Sequence, residues 1–349
     1  MNGRFQIGIV TVVLVLSILS WSGSWAAEGP YKFITKIDIG GEGGWDYASV
    51  DSAARRLYVT HGTKVVVIDM DKNAVVGEIT DTPGVHGFAI APELGLGFSS
   101  NGMENKASIV DLKTLQTKSK VDTGANPDAI LYDPGQKEVY TFNGRGSSAT
   151  VFEAASGKVV ATIPLPGKPE FAQVDAKAGR IYDNIEDKNE VVVIDTKTHT
   201  VAATWPIAPG EGASGMAIDV AAHRLFLGAE KLMVMMDSTL GKVVTTVPIG
   251  AGVDANAFDP ETKFAFASCG DGTVTIAHED GPDKLTVVQV LQTARGARTM
   301  ALDPKTHRIY LAAADYEAPA AQPGAGQRPP RPKMVPNSFR VLVYGPEAK

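Results

Sequence analysis

The sequence predicts an all-β fold, a seven-bladed β-propeller of four-stranded blades, on three observations. A short apolar strand that ends in Asp or a substitute recurs seven times, at spacings of 40, 42, 42, 44, 40 and 44 residues. Each copy is followed by β-branched runs between Gly, Asp, Asn and Pro clusters, which are strand signals. No segment has sustained helical periodicity, and a period of roughly 42 residues is typical of propeller blades.

The strands of a blade follow the same order in each repeat. In the first copy they are residues 48–51, 56–60, 65–69 and 75–79. The first strand ends at a repeating position, which the seven copies fill with Asp51, Ala91, Asp133, Asp175, Asp219, Asp259 and Asp303. We expect these Asp residues, and those that follow the third strands, to accept hydrogen bonds in tight turns.

The two ends of the repeat region predict how the ring closes. The last repeat has two strands within residues 300–313 and a third at residues 339–344, but no fourth. An unassigned strand at residues 32–37 precedes the first repeat. Pairing this strand with residues 339–344 completes the seventh blade and leaves fewer exposed sheet edges. We therefore expect the N-terminal strand to close the ring.

The residues before this strand predict export. Arg4 precedes an apolar stretch at residues 7–19, and residues 24–26 (Ser-Trp-Ala) have the small-x-small pattern of a cleavage site. We assign residues 1–26 to a cleaved signal peptide, with an uncleaved anchor as the alternative. Residues 27–349 then form a single propeller, periplasmic or secreted, with no stable membrane insertion after cleavage.

Charge and cysteine content limit the partners. The chain has 33 basic and 39 acidic residues, and loss of Arg4 leaves 32 − 39, a net charge of −7. A net acidic domain argues against general nucleic-acid binding, which depends on neutralising phosphates. The single cysteine, Cys269, excludes an internal disulfide framework, and we expect it to be a packed strand-end residue.

One insertion interrupts the seventh repeat. Residues 315–338 contain six prolines, which exclude sheet and predict a mobile or polyproline-like loop. Arg328, Arg331 and Lys333 make the loop locally basic. It is interpreted either as a disordered surface insertion or as a lid or docking loop for a protein partner.

The repeat resembles a known family. Leu57-Tyr58-Val59-Thr60-His61 and Val67-Ile68-Asp69 are similar to the YVTN repeat of YncE-like β-propellers, with His61 in place of the family's Asn. The resemblance covers residues 32–344 and implies a seven-bladed propeller of the bacterial or archaeal envelope. It also implies single-stranded DNA binding as one function, because that is reported for some members of the family.

The propeller topology gathers polar residues at one end of the central channel. The first strand of each blade is innermost, so the residues at which it begins line the channel mouth. Five positions before the repeating position stand Asp46, His86, Asp128, Glu170, Ser214, Asp254 and Arg298. The loops after the second strands reach the same face and add His61, Asn143 and Arg145.

This ring of residues favours a metal or a small ligand. Its carboxylates repel one another unless they bind protons or a cation. Oxygen ligands with an imidazole suit Ca²⁺, Mg²⁺, Mn²⁺ or Zn²⁺. The candidate metal ligands are Asp46, His86, Asp128, Glu170 and Asp254.

An organic ligand would use other members of the same ring. Arg298 could hold a carboxylate or phosphate, and Trp45 and Tyr47 could form the wall of a pocket. The candidate ligand-binding residues are Trp45, Asn143, Arg145, Ser214 and Arg298. The structural alternative is a wet channel in which Asp46 or Asp254 simply pairs with Arg298.

Three functional hypotheses follow. The first is an exported propeller that binds a small molecule or peptide, or a partner, at the polar mouth. The second is a metal-dependent hydrolase, lactonase or lyase in which His86 or His61 acts as general base. The third is the single-stranded DNA binding that the family resemblance implies. We expect His199, His223 and His307, in turns at the opposite face, to be solvated.

Overall fold

The computed structural model describes residues 29–317 and 333–347. The assigned signal peptide, residues 1–26, and most of the Pro-rich insertion lie outside these ranges. Within them the chain forms seven four-stranded antiparallel sheets in a ring, which confirms the predicted fold class. No helix in these ranges is long and apolar enough to cross a membrane.

Each of the first six blades runs from its innermost strand outward in sequence order. Blades one to three contain β2 (Ala48–Asp51), β3 (Arg56–His61), β4 (Lys64–Asp69), β5 (Ala74–Ile79), β6 (Val85–Ala91), β7 (Leu96–Asn101), β8 (Lys106–Asp111), β9 (Gln116–Asp122), β10 (Pro127–Asp133), β11 (Glu138–Asn143), β12 (Ser148–Glu153) and β13 (Val159–Pro164). Blades four to six contain β14 (Pro169–Asp175), β15 (Arg180–Ile185), β16 (Glu190–Asp195), β17 (Thr200–Pro206), β18 (Met216–Asp219), β19 (Arg224–Ala229), β20 (Leu232–Asp237), β21 (Lys242–Pro248), β22 (Val253–Asp259), β23 (Phe264–Cys269), β24 (Thr273–Gly281) and β25 (Lys284–Gln292). Blade seven contains β26 (Met300–Asp303), β27 (Arg308–Ala313), β28 (Arg340–Pro346) and β1 (Tyr31–Asp38). Short 3-10 turns occupy Pro92–Leu94 and Glu186–Lys188.

The ring closes through the N-terminal strand, as predicted. β1 pairs antiparallel with β28, from Tyr31 opposite Pro346 to Asp38 opposite Arg340. Tyr31 is 1% exposed, and its hydroxyl donates to the carbonyl of His307 at 2.6 Å. Its backbone amide donates to Gln289 of blade six at 2.9 Å, so the closing strand joins two blades.

Apolar side chains fill the spaces between neighbouring blades. Because successive side chains on a strand point to opposite faces, every blade presents one apolar face to each neighbour. Tyr58 of blade one stacks on Phe88 of blade two with ring centroids 4.7 Å apart, and Phe226 stacks on Phe258 at 4.9 Å. Full burial of one such side chain contributes about 1.5–3 kcal/mol, so the inter-blade contacts hold the ring together.

The turns confirm the structural role of the repeating Asp residues. Oδ1 of Asp69 accepts the amides of Asp71 at 3.0 Å and Lys72 at 2.9 Å. Oδ1 of Asp51, at the end of the first strand, accepts the amide of Ala54 at 2.9 Å. The residue four positions after each repeating position has a positive φ between 56° and 66°: Arg55, Gly95, Lys137, Gly179, His223, Lys263 and His307.

Three of these positive-φ residues connect neighbouring blades by ion pairs. Arg55 Nη1 lies 2.6 Å from Asp303, Lys263 Nζ lies 2.7 Å from Asp219, and His307 Nδ1 lies 2.6 Å from Asp259. In each pair the carboxylate belongs to the preceding blade and is 0–2% exposed. These inter-blade pairs were not predicted from the sequence.

Two of the histidines that we expected to be solvated are partly buried instead. His307 pairs with Asp259, and His199 Nε2 lies 2.8 Å from the carboxylate of Glu138. Their side chains are 22% and 21% exposed. The expectation was wrong because a carboxylate of another blade covers each ring.

The base of the insertion is paired, which corrects the expectation that it excludes sheet. Tyr316 and Met334 form an antiparallel bridge, and the amide of Glu317 donates to the carbonyl of Lys333 at 2.8 Å. The residues that donate amides in this stem, Glu317 and Val335, are not prolines, which lack the amide hydrogen that pairing needs. Arg328 and Arg331 lie outside the described residues.

Candidate functional site at the channel mouth

The seven mouth residues occupy equivalent places in the fold. His86, Asp128, Glu170 and Asp254 are the second residues of their inner strands. The remaining three, Asp46, Ser214 and Arg298, stand two residues before shorter inner strands. The repeat therefore brings residues from seven distant parts of the chain to one end of the channel.

Polar side chains on the second strands hold the backbone of the mouth in place. Ser100 donates to the carbonyl of Asp128, Asn184 to that of Ser214 at 3.0 Å, and Ser268 to that of Arg298. In each case the donor belongs to the preceding blade. The sequence signal for this support is a Ser or Asn at the fifth position of the second strand.

Three mouth residues meet in a compact cluster, Asp46, His86 and Asp128, which we call the trio. His86 Nδ1 lies 2.6 Å from Oδ2 of Asp46 and 3.6 Å from Oδ1 of Asp128. One ligand atom from each residue lies within 4.8 Å of the other two. The side chains are 27%, 29% and 14% exposed for His86, Asp46 and Asp128, so solvent reaches the trio from the mouth.

Burial and charge shift the pKa values of the trio. Burial alone lowers the pKa of His86, but the hydrogen bond to Asp46 and the charge of Asp128 outweigh it, so the pKa is raised. Burial, and then the charge of Asp46, raise the pKa of Asp128 to about 6. The imidazolium therefore stabilises each carboxylate, whereas the two carboxylates repel each other.

The fourth blade adds a second group of charges. Lys168 Nζ contacts the carboxylate of Glu170 and lies 2.6 Å from that of Glu186. Burial, and then the charge of Asp128, raise the pKa of Glu170 to about 8. Asp183 of β15 is fully buried, and neither of its carboxylate oxygens has a hydrogen-bond partner in the described part of the chain. Burial and the charge of Glu170 raise its pKa well above the usual value.

On the far side of the mouth, Asp254 faces Arg298. Their Oδ2 and Nε atoms lie 3.4 Å apart, and Thr299 also donates to Asp254 at 3.4 Å. Burial raises the pKa of Asp254 to about 6, although the charge of Arg298 opposes that rise. Arg298 is 56% exposed at the rim. The structural alternative, pairing of Asp254 with Arg298, is present here as a long and loose contact.

Two aromatic rings form a floor beneath the acidic mouth. Tyr47 of blade one and Phe171 of blade four have ring centroids 5.3 Å apart. Because blades one and four are not neighbours, their side chains can meet only across the channel. Together with the inner strands, the two rings line a cavity of about 60 Å³, whose other lining residues include Ser49, Phe88 and Leu131. The mouth is therefore a polar cup with an aromatic base.

Several residues predicted for the site lie elsewhere. His61 is 2% exposed and stacks on Phe339 with ring centroids 4.2 Å apart, and burial lowers its pKa. Trp45 also stacks on Phe339, with ring centroids 4.9 Å apart. Asn143 is buried and donates to Thr150 at 3.1 Å, whereas Arg145 is exposed on the following turn.

The single cysteine is a structural residue. Cys269 is fully buried at the end of β23, and its thiol donates to the carbonyl of Ala267 at 3.7 Å. Burial raises the pKa of the thiol to about 12, which disfavours the nucleophilic thiolate. The cysteine therefore behaves as the packed strand-end residue that we expected.

Comparisons with known proteins support the fold. No family model matches the sequence, and no curated protein matches it. Many solved chains have a similar structure. One of them, Kuenenia stuttgartiensis hydrazine synthase, superposes with a TM-score of 0.67 over 80% of this chain and 96% of that chain, at 16% sequence identity. At this identity the likeness shows a shared propeller fold and nothing about activity.

Proposed function

We propose that this propeller is an exported binding protein that captures a small molecule or short peptide at the polar mouth of its channel. The observation that carries the proposal is the convergence of the trio with Glu170, Asp254 and Tyr47 in one cup. The cup lies above an aromatic floor and opens to solvent. Sites of this kind, concave with a few converging polar groups, are typical of ligand pockets.

The charges of the cup favour a ligand that brings positive charge or hydrogen-bond donors. Few protein cations pair with its carboxylates. Lys168 forms ion pairs with Glu170 and Glu186, and Arg298 lies 3.4 Å from Asp254. A carboxylate that gains a charge-assisted hydrogen bond from a ligand recovers part of its lost hydration. Amines, amino sugars and cationic peptides satisfy this requirement.

The resemblance and the leader sequence supply the cellular setting of the proposal. We infer that the chain is a YVTN-repeat propeller. The inference rests on Tyr58-Val59-Thr60 and on the looser copies Tyr140-Thr141-Phe142-Asn143 and Tyr182-Asp183-Asn184. We also infer that it is exported by cleavage after Ala26. A docking role for the Pro-rich insertion stays a prediction.

Calorimetric titration of the purified protein tests the proposal. A polyamine, an amino sugar and a lysine-containing dipeptide are titrated in the presence of a chelator. We expect at least one class to bind at pH 7 and Asp254→Asn to weaken it about 10-fold or more, since the pKa of Asp254 at about 6 leaves it ionised and a bond to a charged group contributes about 1.5–3 kcal/mol. The control Asp122→Asn, on an 86% exposed side chain far from the mouth, leaves the affinity unchanged. Binding that is equal in both variants, or absent in all three classes, contradicts the proposal.

A second candidate function, hydrolysis or lyase chemistry, is favoured by one specific observation. The pKa values of Asp128 at about 6 and Glu170 at about 8 leave these neighbours in different protonation states near neutral pH. Such a pair can supply a general base and a general acid. A panel of lactone and ester substrates tests it: turnover that falls about 100-fold or more in Glu170→Gln supports catalysis, and no turnover by the wild type rejects it.

A further inference from the structure

We propose that Asp46, His86 and Asp128 bind one divalent transition-metal ion of the Mn²⁺ or Zn²⁺ class. This inference rests on the proposed function, because it names the chemistry of the same mouth. It concerns a metal with open coordination positions, since the trio supplies three ligands and the mouth leaves the remaining positions to solvent or ligand.

The geometry of the trio fits such an ion. Ligand atoms about 2.1 Å from a tetrahedral zinc are separated by about 3.4 Å. His86 Nδ1 and Asp128 Oδ1 are already 3.6 Å apart, whereas Nδ1 and Asp46 Oδ2 are 2.6 Å apart and must separate by about 1 Å. A rotation of the partly exposed Asp46 side chain provides that movement. An imidazole nitrogen beside two carboxylates favours Mn²⁺ or Zn²⁺ over the oxygen-preferring Ca²⁺ and Mg²⁺.

The trio stands out among the acidic groups of the protein. The chain has 39 acidic residues, and most carboxylates on its surface belong to turns or simple ion pairs. In residues 29–317 and 333–347, no other three His, Cys, Asp or Glu side chains bring their ligand atoms this close. The coincidence of a histidine with two carboxylates from three different blades is therefore specific to the mouth.

The balance of charge at the mouth also calls for a cation. Lys168 forms ion pairs with Glu170 and Glu186, and Arg298 pairs with Asp254. Neither basic side chain forms an ion pair with the trio. Within the ranges described, His86 is the one basic side chain paired with Asp46 and Asp128.

The backbone that carries the trio is fixed by a chain of hydrogen bonds. The amide of Tyr47, next to Asp46, donates to the carbonyl of His86 at 3.0 Å. The amide of Gly87, next to His86, donates to Ser100 Oγ at 2.8 Å, and Ser100 donates to the carbonyl of Asp128. Each strand that bears a ligand is therefore tied to the next, and such support reduces the ordering cost of metal binding.

A glycine makes room for the imidazole. A Cβ at Gly102 would lie 2.6 Å from Nε2 of His86, which is closer than real Cβ contacts. Gly102→Ala would therefore move the ring without removing any ligand atom. This variant therefore tests whether the position of the His86 ring matters, because the imidazole itself is kept.

Titration of the chelator-treated full-length protein with Mn²⁺ and Zn²⁺ tests the proposal, by calorimetry for both ions and by electron paramagnetic resonance for Mn²⁺. We expect one equivalent to bind per chain. His86→Gln and Asp128→Asn should each weaken binding about 100-fold or more, because the loss of outer-shell partners alone costs about 10–100-fold. Gly102→Ala should weaken it as well. The control Asp122→Asn, on an 86% exposed side chain outside the mouth, should change the affinity less than about threefold.

The outcomes distinguish this inference from the proposed function. X-ray absorption of the zinc complex should show one imidazole with oxygen ligands, and thermal melts of the metal-free variants show whether each is folded. No binding, binding that survives His86→Gln and Asp128→Asn, or binding of Ca²⁺ and Mg²⁺ alone overturns the metal site. The organic-ligand titrations are performed with chelator present, so their result stands whichever of these occurs.

Discussion

Loss of the Arg55 side chain should weaken the ring at the seam between blades one and seven. Arg55 Nη1 lies 2.6 Å from Asp303, whose carboxylate is fully buried, and Arg55 itself is 14% exposed. The hydrogen bonds from Ser52, Thr306 and Arg55 outweigh burial and hold the pKa of Asp303 below its usual value. Arg55→Ala leaves that charge without its cation at the place where the ring closes.

The magnitude follows from what remains around the carboxylate. Removing one partner of a buried ion pair costs about 3–5 kcal/mol. Asp303 keeps the hydroxyl of Thr306 at 2.6 Å and the amide of Lys305 at 3.2 Å, so the lower end applies. We expect Arg55→Ala to lower the free energy of unfolding by about 3 kcal/mol, and the melting temperature by roughly 5 °C in a chain of this size.

Urea denaturation of Arg55→Ala, Asp303→Asn and the double variant measures the coupling between the two residues. Asp71→Asn is the matched control, because Asp71 also contacts Arg55 at 3.0 Å but is 63% exposed. An exposed pair contributes about 0–1 kcal/mol, so this control should change stability little. A coupling energy below about 0.5 kcal/mol, or a loss no larger than that of Asp71→Asn, would refute the buried-seam reasoning.

Three further predictions concern other buried groups. Asp133 is fully buried, and burial raises its pKa. The equivalent positive-φ position of the next blade is Gly179, which supplies no cation to pair with this carboxylate. Asp133→Asn should therefore raise the urea midpoint at pH 7; a lower midpoint contradicts this. Burial and Asp219 raise the pKa of Glu279 to about 7, above its unfolded value. The contribution of Glu279 to the free energy of unfolding is therefore greatest at low pH and is lost as the pH rises through about 7. Glu279→Gln should remove a loss on the order of 3 kcal/mol above pH 7 and have no effect below about pH 4, which denaturation across this range measures. Tyr31→Phe should cost about 1 kcal/mol by calorimetric melting, for the lost hydrogen bond to His307, and Tyr31→Ala about 3–5 kcal/mol; equal losses would show that the ring does not pack as described.

The architecture could be predicted from the sequence because the signals that specify its strands and turns are local. A strand is marked by its β-branched residues and a turn by its Asp, and both recur at a nearly constant spacing. The unpaired strand at residues 32–37 could be matched to the missing fourth strand by counting alone. The structure extends it to Tyr31–Asp38 and confirms the partner.

The candidate site could be predicted from the sequence only in part. Counting back from the repeating position correctly gathered Asp46, His86 and Asp128, because equivalent backbone positions in a propeller share one height along the axis. The loop after the second strand and the neighbour of Asp46 were expected to bring His61 and Trp45 to the mouth, but both side chains stack on Phe339 instead. Side-chain direction at a loop depends on the neighbours it packs against, and the repeat carries no information about those neighbours.

The sequence by itself therefore determined the number of blades, the order of the strands, the closing strand and the seven residues of the mouth. Only the tertiary structure decided which of those seven touch, that Tyr47 and Phe171 meet across the channel, and that Arg55, Lys263 and His307 pair with the preceding blade. The physical reason is distance along the chain. The signals that mark a strand or a turn lie within a few residues of one another. A contact between blades joins distant residues, such as Ser100 and Asp128, which are 28 positions apart, and it depends on how the closed ring sets their separation and direction.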